Sequence, residues 1–318
     1  MIGAERPLYP PIEPYEYGRL SVGGGHEIYW ELCGNPDGIP AVFLHGGPGS
    51  GCSPAHRRLF DPERYKTLLF DQRGCGRSKP TGLLEENTTW DLVADMERLR
   101  EVARIDRWLV FGGSWGAALA LAYAETYPDR VTGLILRGVF TCRQAELDWF
   151  YAGGAAKLFP DKWEEFLAPI PQEERGDLIA AYRERLTHRE RAVRLEAARA
   201  WADWEGQTVM LRTRARAVGM PNASEATIAF SRIENHYFLH RGWLEDGQLI
   251  ANAHRLSDIP GVIVQGRYDV VTPGETSWQL WKAWPRADYR MVEGAGHAFS
   301  EPGILQELLA ATDRFAET

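Results

Sequence analysis

Residues 108–116 read Trp-Leu-Val-Phe-Gly-Gly-Ser-Trp-Gly, an apolar run that passes straight into a Gly-x-Ser-x-Gly turn and then into the helix-forming stretch Ala-Ala-Leu-Ala-Leu-Ala-Tyr-Ala. That order dictates a strand, a sharp turn and a helix. A serine thrust outward on such a turn leaves no room for a Cβ two residues to either side, and Gly112 and Gly116 meet that demand. Ser114 is therefore the first candidate for a reactive group. The helix starting at Trp115 aims its free N–H groups and the positive end of its dipole at the serine, which favours an oxyanion there.

Other short apolar runs, at residues 41–44, 67–70, 134–136 and 262–264, each end in a loop containing Gly, His or Asp. They read as buried parallel strands. Helical patterns lie between several of them, as at residues 90–103 behind an Asn or Thr cap, so the alternation predicts βαβ units and a doubly wound α/β sheet. Residues 19–22 and 27–32 flank a Gly-Gly-Gly turn and predict an antiparallel hairpin at one sheet edge, with residues 289–292 closing the other. From residue 141 to 240 the strand rhythm stops and the chain turns aromatic, charged and helical, with residues 183–200 almost wholly helix-forming. This predicts a helical cap domain, 141–240, inserted into a catalytic domain made of 1–140 and 241–318. The Arg/Glu alternation over 183–199 reads as a solvated helix face, and Pro160, Pro169, Pro171 and Pro221 as breaks between cap helices.

A chain of 318 residues with 44% hydrophobic and 25% charged residues can bury large cores, which excludes disorder and fibrous repeats. Its 12 tryptophans mostly serve core packing, with some expected to line a pocket. The net charge of −8 argues against nucleic-acid and anionic-membrane partners. With no basic, apolar leader and no membrane-length run, a cytoplasmic protein is expected. Cys33, Cys52, Cys75 and Cys142 lack metal or disulfide spacing and read as free thiols. The oligomeric state is not encoded in any of these features.

A serine is a weak nucleophile at neutral pH and needs a base oriented by a carboxylate. After an elbow of this kind the order is Ser, then acid, then His. The run Val-Ile-Val-Gln-Gly-Arg-Tyr-Asp puts Asp269 just past one late strand, and Val-Glu-Gly-Ala-Gly-His puts His297 just past the next. His26, His56, His188, His236, His240 and His254 have no such position and read as structural or exposed. The oxyanion needs two N–H donors, one from Trp115 and one from the His-Gly-Gly-Pro-Gly loop at 45–49, where Gly47, with Gly46 as the neighbouring choice, is expected to supply it. Pro48 has no N–H to give, and His45 is expected to make structural hydrogen bonds. The segment Asp71-Gln-Arg-Gly-Cys-Gly-Arg-Ser78 lacks the Lys-Ser/Thr pair of a phosphate loop and reads as a tight, salt-bridged turn supporting the site, with Cys75 near the pocket.

Taken together, the His-Gly-Gly-Pro-Gly loop, Asp71-Gln-Arg-Gly-x-Gly-x-Ser, Gly-Gly-Ser-Trp-Gly, Leu136-Arg-Gly-Val-Phe140, Trp149-Phe-Tyr151, Trp201-Ala-Asp-Trp-Glu205, Arg232-Ile-Glu-Asn-His-Tyr-Phe238 and Gly266-Arg-Tyr-Asp269 resemble the prolyl aminopeptidases, or proline iminopeptidases. These are serine peptidases of the α/β-hydrolase fold, and the likeness spans nearly the whole chain. It implies that fold with a helical cap, and release of N-terminal proline from peptides through a prolyl-enzyme, without metal or cofactor. It also implies a triad of Ser114, Asp269 and His297, in agreement with the placement above, and two cap carboxylates, Glu205 and Glu234, at the substrate's cationic imino group. Phe140, Trp149 and Tyr151 are implied to flank the pyrrolidine ring. Thr272 stands where many members carry Cys, a departure that touches pocket shape and thiol sensitivity. Two other readings of the same residues are an esterase or amidase of different acyl preference and a pocket used only for binding.

Overall fold

A computed structural model describes residues 6–211 and 225–317. Pro221 lies outside them. Eight strands run in chain order as β1 (Glu16–Gly23), β2 (His26–Gly34), β3 (Ile39–Leu44), β4 (Tyr65–Phe70), β5 (Trp108–Ser114), β6 (Val131–Val139), β7 (Gly261–Gly266) and β8 (Ala287–Val292). They form one sheet in the order β1-β2-β4-β3-β5-β6-β7-β8. The hairpin β1–β2 joins β4 antiparallel at one edge, and every other pairing is parallel, with β8 closing the far edge.

Helices α1 (Pro54–Arg57), α2 (Thr89–Val102) and α3 (Trp115–Thr126) lie among the first six strands, and α4 (Gln144–Tyr151), α5 (Pro160–Leu167), α6 (Leu178–Leu186), α7 (Arg191–Thr208) and α8 (Glu225–Leu239) between β6 and β7. The chain ends through α9 (Gln248–Ala251), α10 (Gly274–Ala283) and α11 (Pro302–Ala316). Parallel strands covered on both faces need apolar side chains in both directions. In β5, Val110 joins one core with Leu92, Leu119 and Leu136, while Leu109 and Phe111 join the opposite core with Leu69, Ile135 and Leu308. Helix α2 begins where the sequence sets a capping box: Thr88 Oγ1 accepts from Asp91 N at 3.2 Å, and Asp91 Oδ2 accepts from Thr88 N at 3.0 Å.

The run over 183–200 is not one helix, because α6 stops at Leu186 and α7 starts at Arg191. Local side-chain bonds replace the helical ladder at this break. Thr187 Oγ1 donates to Arg183 O at 2.7 Å, His188 Nδ1 accepts from Glu190 N at 3.1 Å, and Arg194 Nη1 donates to the carbonyls of His188 and Arg189 at 2.7 and 2.9 Å. Helices α5 to α8 pack on one another around aromatic side chains: Phe166 stacks on Tyr182 at 4.7 Å, and Trp163 meets Trp204 edge-on at 5.1 Å. Among the described residues no helix is long and apolar enough to cross a membrane.

Candidate active site

Ser114 ends β5 and opens α3 with φ +58° and ψ −127°, a conformation that costs a non-glycine residue energy and persists only where the surroundings enforce it. Backbone does the enforcing. A Cβ on Gly112 would collide with the carbonyl of Gly116, and one on Gly116 with that of Leu44. The 45–49 loop presses on the same point, since a Cβ on Gly46 would come within 3.3 Å of Ser114 Cβ.

The turn after β4 braces both loops. Gln72 Oε1 accepts from Trp115 Nε1 at 3.0 Å, Gln72 N donates to His45 Nε2 at 3.0 Å, and Gln72 Nε2 donates to His45 O at 3.0 Å. His45 is fully engaged in this frame, and burial pushes its pKa down, so it stays neutral. Asp71 anchors the turn by accepting from Cys52 N at 2.7 Å and from Arg77 N and Nε at 2.8 Å each. Cys75 lies behind the site, its Sγ 3.5 Å from His45 Nε2, and burial raises its pKa far above the usual thiol value, which makes it unreactive.

Asp269 sits past β7 and His297 past β8, with Asp269 Oδ2 2.7 Å from His297 Nδ1. Thr272 completes the carboxylate's surroundings: its N–H donates to Oδ1 at 2.8 Å and its Oγ1 to Oδ2 at 3.0 Å. Gln265 Nε2 adds a longer contact to Oδ2 at 3.4 Å. Gly138 in β6, at φ +54°, backs the pair so closely that a Cβ would stand 2.9 Å from the imidazole. Burial lowers the His297 pKa, with Asp269 opposing the shift. The far ring nitrogen is occupied by Arg137, whose Nη1 donates to Nε2 at 2.9 Å and to His297 O at 3.0 Å. An imidazole nitrogen offers one lone pair, so Arg137 and the Ser114 hydroxyl compete for it.

Ser114 stands where two cavities meet, and it shares that junction with Gly47 and Glu205. The inner limb is narrow, about 20 Å³, and is walled by Phe140, Phe150, Tyr151 and Phe238 together with Glu234. Tyr151 stacks on Trp201 at 4.6 Å, and Phe140 meets Phe238 edge-on at 5.7 Å. Trp149, expected beside them, is absent from the walls of both limbs. Its Nε1 donates instead to Val270 O at 2.7 Å, bracing the loop that carries Asp269. The outer limb is larger, about 200 Å³, and carries His297, Arg137, Phe43, His56 and Phe299.

Glu205 and Glu234 share a hydrogen bond across α7 and α8, and Trp201 Nε1 donates to Glu234 Oε2 at 2.6 Å. Burial pushes Glu205 up to about 7, and burial together with the Glu205 charge raises Glu234 well above the usual carboxylate range. Two carboxylates this close hold a proton between them. Glu205 Oε2 is buried with no partner among the described residues. A third carboxylate on the inner limb, Glu146, is spent on structure, accepting from Thr141 Oγ1 at 2.6 Å and Thr276 Oγ1 at 2.9 Å. Among the described residues no group of three or more His, Cys, Asp or Glu is arranged to hold a metal ion.

The features missed by sequence reading are Arg137, His56 and the aromatics Phe150 and Phe238. Arg137 had a signal, a lone cation in an otherwise apolar strand, although Leu-Arg-Gly by itself says nothing of which atom it meets.

A sheet of this order, with candidate nucleophile, acid and base at the ends of β5, β7 and β8, defines a hydrolase of the α/β class. The chain belongs to the family described as alpha/beta hydrolase fold, whose profile matches residues 40–303. Within that class it belongs to the proline iminopeptidase family. It is 53% identical over 312 residues to a proline iminopeptidase of Arabidopsis thaliana, covering 98% of this chain and 82% of that one. To a proline iminopeptidase of Neisseria gonorrhoeae it is 48% identical over 308 residues, covering 96% and 98%. The fold alone is shared with an esterase, RhEst1, from Rhodococcus sp. ECU1013, at a TM-score of 0.60 and 17% identity, covering 97% of this chain and 99% of that one.

Proposed function

We propose that the protein is a serine exopeptidase that removes proline from the N-terminus of peptides. The observation that carries this reading is the acidic pair, Glu205 and Glu234, enclosed by aromatics within one cavity of Ser114. A buried carboxylate pair with an unpartnered oxygen is costly unless a cation meets it. A free prolyl imino group is such a cation on a compact apolar ring, and a ring of that size requires the aromatics to move apart from their present spacing. An internal peptide bond brings no charge there, which confines cleavage to the chain end.

In this reading Ser114 attacks the prolyl carbonyl, His297 takes its proton through Nε2, and Asp269 holds the imidazole through Nδ1. Arg137 must first give up its contact with Nε2, and the Glu205 charge offers the guanidinium an alternative partner. The N–H groups of Trp115 and of Gly47 or Gly46 stabilise the tetrahedral oxyanion. His297 then protonates the departing amine, and water activated by the same imidazole hydrolyses the prolyl ester. The helices between β6 and β7 act as a cap domain over residues 141–240, on the catalytic domain of 1–140 and 241–318. Cytoplasmic residence is part of the proposal, supported by four unpaired cysteines.

Aminoacyl arylamides with free and acetylated N-termini test it. Free proline is expected to be cleaved at least about 100-fold faster than acetyl-proline, the scale on which removing one partner of a buried charge pair acts. Equal rates on both, or a preference for simple esters, would assign the protein to esterases or amidases of another acyl specificity.

A further inference from the structure

Apart from Glu205 at the junction, the outer limb has no part in the capture of proline, yet it is the larger of the two and it is built. Phe43 stacks on His56 at 4.4 Å, His56 meets Phe299 edge-on at 5.4 Å, and Phe43 meets Phe111 edge-on at 5.4 Å. Leu59, buried, adds to the same wall. His56 adds no charge to this wall: burial holds its pKa down at about 3, and its Nδ1 is already engaged by Ser53 N at 3.1 Å. The polar and charged groups on the limb gather at the Ser114 junction: Arg137 lies against Gly113 and bonds His297, and Glu205 is shared with the inner limb.

Two constraints fix what enters here. The imino cation must lie toward Glu234, which lines only the inner limb. The leaving nitrogen must come within reach of a proton on His297, which lines only the outer one. The scissile bond therefore bridges the two limbs, and the amine side of the substrate extends along the outer limb.

We infer that the outer limb, walled by Phe43, His56, Phe111 and Phe299, is the subsite for the substrate's second residue and selects an apolar or aromatic side chain there. This inference rests on the proposed function, since it takes the acidic limb as the proline side. An uncharged aromatic wall rewards burial of a leucine or phenylalanine side chain. It leaves the charge of an aspartate or lysine without a partner.

The test is kcat/KM across the dipeptide amides Pro-Leu, Pro-Phe, Pro-Gly, Pro-Asp and Pro-Lys, with proline methyl ester as a substrate whose leaving group is too small to fill the limb. Leucine and phenylalanine are expected to exceed glycine by about tenfold, within the range that apolar pockets achieve, and aspartate by about 100-fold or more. In Phe299→Asp the order is expected to turn toward lysine, a ratio read within one protein preparation. Should that variant fail to fold, the wild-type series decides. Hydrolysis of proline methyl ester with a flat second-residue profile overturns this inference and leaves the proposed function standing. Failure to hydrolyse any free prolyl substrate overturns both.

Discussion

Two regions of the molecule hold carboxylates at the site, and they hold them in opposite ways. Asp269, in the loop after β7, accepts from both the N–H and the hydroxyl of Thr272 and faces the imidazole of His297. The Glu205–Glu234 pair, on α7 and α8, has one indole N–H, one shared proton and an oxygen with no described partner. The same functional group is thus saturated with donors in one place and starved of them in the other. On the proposed function, the carboxylate that orients the imidazole is surrounded by permanent donors, whereas the pair that meets a cation keeps a charge uncompensated until that cation arrives.

The two regions are expected to respond differently to removal of charge. Asp269→Asn leaves the imidazole in the wrong tautomer and is expected to lower kcat by about 10⁴ on every acyl substrate, prolyl or not. Glu205→Gln is expected to lower kcat/KM on free prolyl arylamides by about 10² to 10³ and to leave hydrolysis of an uncharged p-nitrophenyl ester nearly untouched. Equal losses on both substrates in Glu205→Gln would erase the distinction between the regions.

The pH profile sharpens the contrast at smaller scale. The anion on the pair appears as pH rises through about 7, where Glu205 ionises, so kcat/KM on a prolyl arylamide is expected to fall about tenfold per unit below that value. His297 is already neutral there, because burial moves its pKa below the ordinary 6.5. Glu205→Gln is expected to shift the fall to lower pH, and an unshifted fall would assign it to the imidazole.

The smallest effect is on stability. Glu234 has a pKa raised above its unfolded value of 4.5, so the native chain binds a proton that the unfolded chain releases, and stability is lost as pH rises beyond 4.5. Glu234→Gln is expected to flatten that decline, narrowing the difference in melting temperature between pH 5 and pH 9 by a few degrees. A decline as steep as in the wild type would mean that the pair is not a source of strain.

The region that carries the triad candidates was also the more legible one. The strand ends that carry Ser114, Asp269 and His297 follow from short apolar runs closed by Gly-rich loops, a pattern set by local sterics. The helices between β6 and β7 follow no such rule. Their placement depends on which aromatic faces meet, and periodicity alone did not divide α6 from α7 or send Trp149 to the carbonyl of Val270 rather than to the pocket. Glu205 and Glu234 look like ordinary helix charges until their helices are packed together, and only family likeness singled them out. Arg137 escaped for a related reason, since a strand residue's partner is set by a loop 160 positions away.

The proton shared by Glu205 and Glu234 has a consequence for how the protein meets its substrate. On the proposed function, a prolinium seated in the inner limb pairs with the Glu205 anion while Glu234 keeps the proton. The pocket is then singly negative when empty and neutral when loaded, so a capture of this kind raises the net charge of the protein by one and takes up no proton from the solvent.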